Sequence, residues 1–338
     1  MNLTLELLRL VGSPFAPEMP HINRNIAFKL YKCAKKNRMS YLCLEKLSEK
    51  GNLGELEKIH RKEKTKYFEA LRAIHNVSKA LNNSNIQHAV FKTLRPYKST
   101  TVDIDILVFG NKVEYLKSIK SMQSVGYQIL ARGPRSVTLR DQKSNLGVDL
   151  YEQVAVSFVT YLDKEKLVEF VATAQLLNDE IKTLKPEADL VAIIAHSVIK
   201  EQMYTLSEYY TFIYYLELMD INNFIQILKQ NNITSAARTH AAITALLHRT
   251  AHKTIPSKLQ QILNSLGEET LETYFLAKNN FNTPHKYHML TVARSLLEKM
   301  RDTKCRTSLA TQILHMSNPH FALDFLENLT KHIARETY

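Results

Sequence analysis

Apolar residues recur every three to four positions over roughly the first eighty residues, switch to alternation at every second position between 86 and 151, and return to helical spacing beyond 152. Two helices are predicted over 26–36 and 41–50, followed by a break at Gly51 and Gly54. A long helix over 55–81 carries Leu56, Ile59, Tyr67, Leu71, Ile74, Val77 and Leu81 on one side. Its run His60-Arg61-Lys62-Glu63-Lys64-Thr65-Lys66 reads as a solvated face, with contact to a nucleic-acid backbone as the second reading. Asn82-Asn83-Ser84-Asn85 ends this helix by turn chemistry.

The alternating part predicts strands over 86–91, 102–108, 127–131, 136–140 and 146–151, one helix over 113–122, and turns at Gly110-Asn111, Gly133-Pro134 and 141–145. Beyond it, an amphipathic helix is expected over 164–176 and a short extended piece over 181–184. Pro186, with Glu187 and Asp189 in its first turn, starts a helix running to about Lys200. The aromatic stretch 204–219 reads as packing rather than base stacking, and helices over 222–230, 235–252 and from 255 onwards complete the chain. The expected fold class is therefore α+β. A small mixed-sheet α/β core (85–160) lies between an N-terminal helical region (1–84) and a large C-terminal helical bundle (161–338).

Bulk properties narrow the picture. A chain of 338 residues is long enough for two or three compact units, and 45 % apolar with 23 % charged residues is ordinary for a globular protein. No run approaches the roughly 18 apolar residues needed to cross a bilayer, and the start of the chain is a poor secretory signal, so no membrane association is expected. Cys33, Cys43 and Cys305 are odd in number and widely spaced, which argues against disulfides and zinc and for a reducing cytoplasm. The net charge of +12 suits a polyanionic partner such as RNA, though excess lysine also serves solubility. Eight glycines, none in a phosphate loop, remove the dinucleotide fingerprint and the P-loop. The histidines show no metal-ligand spacing.

The candidate chemistry sits in Val102-Asp103-Ile104-Asp105-Ile106-Leu107-Val108. Residues two apart on a strand share a face, so Asp103 and Asp105 emerge side by side and raise each other's pKa unless a cation lies between them. Mg²⁺ suits such hard oxygens; alternatively, one aspartate marks a strand end and the other is solvated. Asp149, between apolar neighbours in Gly147-Val148-Asp149-Leu150-Tyr151, is placed to complete a two-ion site, with Asp103 and Asp105 bridging both ions. Upstream, Lys92-Thr93 ends the first predicted strand; a hydroxyl there can reach a phosphate, and neighbouring lysine or arginine can neutralise its charge.

These residues resemble the nucleotidyltransferase superfamily of the DNA polymerase β type: a strand, a turn, Asp-x-Asp in the next strand, and a third acid further on. The segment from His88 to Thr93, then Arg95, then 101–108 is similar to a subgroup of uncharacterised, minimal-like nucleotidyltransferases, and Leu190 to Lys200, with its His196, is similar to a downstream helix of that subgroup. The match spans about residues 65–215. The resemblance implies an enzyme in which an acceptor hydroxyl attacks the α-phosphorus of a nucleoside triphosphate such as ATP and pyrophosphate leaves. It implies Asp103, Asp105 and Asp149 as catalytic metal ligands for two Mg²⁺ (Mn²⁺ as the alternative ion), with Asp149 the candidate base. Lys92, Thr93 and Arg95 would bind the nucleotide, with Lys98 and His196 as weaker candidates. RNA, tRNA-like, is the expected acceptor. A protein or small-molecule acceptor of the toxin–antitoxin kind, and a non-catalytic nucleotide- or RNA-binding module, are the alternatives. Where that family has a turn glycine this chain has Lys92-Thr93, which implies either a side chain that takes over the phosphate contact or lost activity. The sequence leaves the oligomeric state and the choice of triphosphate open.

Overall fold

The computed structural model describes residues 2–19, 24–141 and 146–334. All but the first residue of the turn expected over 141–145, and the last four residues of the C-terminal helical stretch, lie outside them.

Three short helices open the chain, α1 (Leu3–Val11), α2 (Arg24–Lys36) and α3 (Ser40–Glu49). The long helix α4 (Glu57–Asn83) follows. Next come β1 (His88–Val90) and β2 (Asp103–Val108), then α5 (Lys112–Ser124), whose start is fixed by a capping box between Asn111 and Glu114. Strands β3 (Tyr127–Arg132), β4 (Ser136–Asp141) and β5 (Gly147–Tyr151) precede a small hairpin of β6 (Val154–Val156) and β7 (Val159–Leu162). Strands β8 (Val171–Leu176) and β9 (Asp179–Leu184) return the chain to the main sheet. Helix α6 (Pro186–Ala195) ends in a π-helical turn over His196–Glu201. A two-residue strand β10 (Met203–Tyr204) leads into α7 (Leu206–Leu218), α8 (Ile221–Asn231), α9 (Thr234–His252), α10 (Ser257–Leu266) and α11 (Leu271–Lys278). Strand β11 (His285–Lys286), paired with β10, precedes α12 (Met289–Lys299), α13 (Thr303–Met316) and α14 (Pro319–Ala334). The fold is α+β: a mixed sheet with helical flanks.

The main sheet has seven strands in the order β3-β4-β5-β2-β1-β9-β8. Strands β2 and β5 are parallel, as are β1 and β9; the other neighbours are antiparallel. Side-chain alternation divides the core in two. Ile104, Ile106, Val108, Val148 and Leu150 face α4 and α5, where they meet Ile74, Val77, Leu81, Tyr115 and Ile119. Ala89, Phe91, Leu107 and Tyr151 join a larger core that runs through α6 to α9 and back to α1, α2 and α3. The expected N-terminal helical region is thus shared between the two cores: α4 covers one sheet face, while α1 packs on α9.

The sequence expectation fails at 164–176. Two 3₁₀ turns, Lys164–Lys166 and Val168–Phe170, lead into β8, which pairs with β9 and brings strands from 171–184 into the sheet, past the residue-160 boundary. Leu167, Phe170, Val171 and Ala174 mimic helical spacing, but from Ala172 onward exposure alternates as in an edge strand. Leu177 and Asn178 carry the hairpin turn with positive φ (52° and 71°), a backbone that ordinarily shows in sequence as Asn-Gly. The aromatic stripe is core: Tyr204, Tyr209, Tyr210 and Phe212 are fully buried.

Ile106 is completely buried between the sheet and α4/α5. Ile106→Ala is expected to lower stability by about 2–5 kcal/mol, read as a lower urea midpoint at unchanged slope.

Candidate active site

Parallel pairing sets Asp105 of β2 directly opposite Asp149 of β5 and Asp103 opposite Gly147. Because Ile104, Ile106 and Val148 point toward α4 and α5, all three acids emerge on the opposite sheet face. One carboxylate oxygen from each lies within 4.8 Å of the other two. Thr138, paired with Asp149 across β4–β5, donates its hydroxyl to Asp149 Oδ1 at 2.6 Å and fixes that carboxylate's rotation. The sequence-predicted acids therefore meet. Burial, then repulsion from Asp105 and Asp149, pushes Asp103 up to about 6. Burial also raises Asp149, opposed by the Thr138 hydrogen bond and reinforced by Asp105. Three half-buried, hard oxygen donors at this spacing fit a divalent cation of the Mg²⁺ or Mn²⁺ kind.

The turn after β1 is built against this cluster. Lys92 sits in the left-handed backbone region (φ 59°), and its N–H donates to Asp189 Oδ1 at 2.6 Å. Asp189, in the first turn of α6, also accepts from the Tyr215 hydroxyl at 2.9 Å, so the turn is tied to the helical bundle. The Lys92 ammonium is buried 3.4 Å from Asp105 Oδ2 and 3.4 Å from His196 Nδ1, packed over the rings of Phe91 and Tyr151. Burial lowers its pKa and Asp105 resists that shift. The Thr93 hydroxyl donates to the Phe91 carbonyl at 3.2 Å and accepts the Asp105 N–H at 2.8 Å, which locks the turn onto β2. Arg95 donates to Thr211 Oγ1 at 3.2 Å on α7. Lys98 points elsewhere, to Glu45 Oε2 at 2.5 Å on α3.

A cavity of about 760 Å³ opens beside Asp103 and Asp105 and is lined also by Lys92, Thr93 and Arg95. That volume is in the range of pockets that take nucleotide-sized ligands. Asp149 is not among the lining residues and meets the cavity only through Asp103 and Asp105, within 4.8 Å of which its carboxylate lies. The π-helical turn after α6 aims His196, Lys200 and Glu201 into the cavity. His196 Nδ1 lies 3.3 Å from the Tyr161 hydroxyl and Nε2 lies 3.3 Å from Glu201 Oε1, which assigns its proton to Nε2. Burial, then the nearby lysines, hold it well below its usual pKa and therefore neutral.

Sequence reasoning missed the far wall. Lys35 and Arg38, at the α2–α3 junction, line the cavity with Lys62 and Lys66 of α4. The last two belong to the run read mainly as a solvated face; the remaining signal, lysines on α2, is indistinguishable from ordinary helix surface until α2 and α4 are placed together.

No protein-family model and no curated protein matches the chain. Among solved structures it is similar to an antigenic nucleotidyltransferase-like protein from Paracoccidioides brasiliensis, at 12% identity over 66% of this chain and 96% of that one, with a TM-score of 0.31. It is also similar to the STING-associated CdnE c-di-GMP synthase from Capnocytophaga granulosa, at 13% identity over 86% of this chain and 98% of that one, with a TM-score of 0.32.

Because the Asp103 pKa is raised from 3.8 to about 6, its ionised form destabilises the metal-free fold. The penalty is absent below the unfolded value of 3.8, grows as pH rises from there to about 6, and is complete above that. Asp103→Asn is expected to stabilise the chelator-treated protein at pH 7.5 by on the order of 2 kcal/mol, and to change nothing near pH 3.5. Thermal unfolding at both pH values checks this; equal shifts at the two would refute it.

Proposed function

We propose that the protein is a metal-dependent nucleotidyltransferase that moves a nucleoside monophosphate from a nucleoside triphosphate to an acceptor hydroxyl on RNA. The observation that carries this reading is the convergence of Asp103, Asp105 and Asp149 from adjacent strands to within 4.8 Å beside a cavity with cationic walls. Asp103, Asp105 and Asp149 would hold the divalent ion, which when bound supplies charge to the reacting phosphate and acidifies the acceptor hydroxyl.

The chain's own groups account for the rest. The acceptor oxygen forms a bond to the α-phosphorus while the bond from that phosphorus to its bridging oxygen breaks, and the electron pair leaves with pyrophosphate. Asp149 Oδ1 accepts the Thr138 hydroxyl, so its other oxygen serves either the ion or the acceptor proton, as ligand or as base. Lys92, Arg95 and Lys200 would face the triphosphate, and Thr93 would serve it by holding the turn through its hydroxyl. Lys35, Lys62 and Lys66 on the far wall suit an acceptor that carries phosphates, in keeping with the net charge of +12.

Incubation with each α-labelled triphosphate, Mg²⁺ and total cellular RNA tests this proposal. Label is expected in RNA, and Asp103→Ala and Asp105→Ala are each expected to lower its transfer more than about a hundredfold, beyond what loss of a supporting group alone does. Lys62→Glu is expected to raise the apparent KM for RNA and flatten its salt dependence, with the triphosphate KM little changed. No transfer to any acceptor, or full transfer by Asp103→Ala, would overturn the reading.

A further inference from the structure

Resting on the metal-dependent reading above, we infer that the Lys92 ammonium occupies the place of one of the two cations expected between the paired acids, so that the site takes a single divalent ion. In a two-ion site the metals stand roughly 3.5–4 Å apart and share a bridging carboxylate. Asp105 is the central acid of this cluster, flanked by Asp103 on its own strand and Asp149 on the next. Its Oδ2 already has a cation at 3.4 Å, the Nζ of Lys92.

That cation is built in. Lys92 is 5 % exposed, its ammonium is 4.6 Å from the Phe91 ring centroid and 5.0 Å from that of Tyr151, and the neutral His196 ring faces it from the π-helical turn after α6. The backbone beneath it is pinned at both ends, by the Lys92 N–H on Asp189 and the Thr93 hydroxyl on Asp105 N. On these sides the side chain is packed against fixed groups, which favour its present position beside Asp105. In the site without nucleotide, one ammonium and one divalent ion balance the three carboxylates. Lys92 thus provides a fixed charge to the acids and to an incoming phosphate without needing to be recruited from solution.

Counting bound ions tests this without turnover. The full chain is dialysed against Mn²⁺ and a non-hydrolysable α,β-methylene nucleoside triphosphate, and bound Mn²⁺ is measured by electron paramagnetic resonance. One ion per chain is expected, with no exchange coupling. Lys92→Gly accepts the left-handed backbone without strain and is expected to bind two, with the broadened spectrum of a coupled pair; Lys92→Met should bind a second ion more weakly. Two ions in the unaltered chain would overturn the inference alone, even if both variants failed to fold. One ion in both the unaltered chain and Lys92→Gly would remove Lys92 from the role. No bound ion would overturn it together with the metal-dependent reading.

Discussion

Three carboxylates forced into mutual repulsion are the constraint around which this structure is organised. Parallel pairing of β2 with β5 places Asp105 against Asp149, and the two-residue period of the strand brings Asp103 alongside. Nothing in strand pairing alone rewards that arrangement. It persists because the groups around it are fixed: Thr138 orients one acid, Lys92 balances another, and the turn carrying Lys92 is anchored on Asp189 and through it on Tyr215. The site is therefore a property of the seam between sheet and helical bundle, and belongs to neither layer by itself.

The same seam holds β2 at its far end. Lys164, buried in the 3₁₀ turn after β7, donates to the carbonyls of Val108 and Gly110, each at 2.8 Å. The neighbouring Lys166 reaches Asp302 at 3.0 Å, where the buried Lys299 also binds, and Lys304 closes the network on Asp163. An ionic cluster of this kind contributes little net stability, since desolvation offsets most of the attraction. It does fix direction. With β2 tied to α12 and α13 at one end and to the Thr93 turn at the other, the acids have little freedom to relax apart.

The legible part of the sequence was the part governed by local rules. Alternation exposed β2 and β5, and Asp103, Asp105 and Asp149 could be named because strand parity dictates their common face. The long helix α4 and the start of α6 at Pro186 followed from periodicity and capping. What was not legible depends on tertiary placement. The β8–β9 hairpin turns on Leu177-Asn178, which carry no glycine signal, and the apolar spacing before it satisfies a helix equally well. Lys35, Arg38, Lys62 and Lys66 become one wall only when α2, α3 and α4 fold back across the sheet. Lys98 illustrates the reverse: its loop position suggested a phosphate contact, and Glu45, more than fifty residues upstream in the chain, holds it instead.

The missing glycine is the sharpest case, because the backbone and the side chain give different answers. Lys92 adopts φ 59°, so the turn keeps the conformation for which glycine is the easy choice. A left-handed residue with a Cβ costs roughly 1–2 kcal/mol. Here that strain is opposed by an ion pair with Asp105 and by two aromatic faces, which only the lysine side chain can reach, and the backbone is held besides by the N–H on Asp189. Absence of glycine therefore does not mean a broken turn. The turn is intact, and what has changed is the charge it presents to the acids: a glycine would offer phosphate only an N–H, whereas this chain commits that N–H to Asp189 and offers an ammonium.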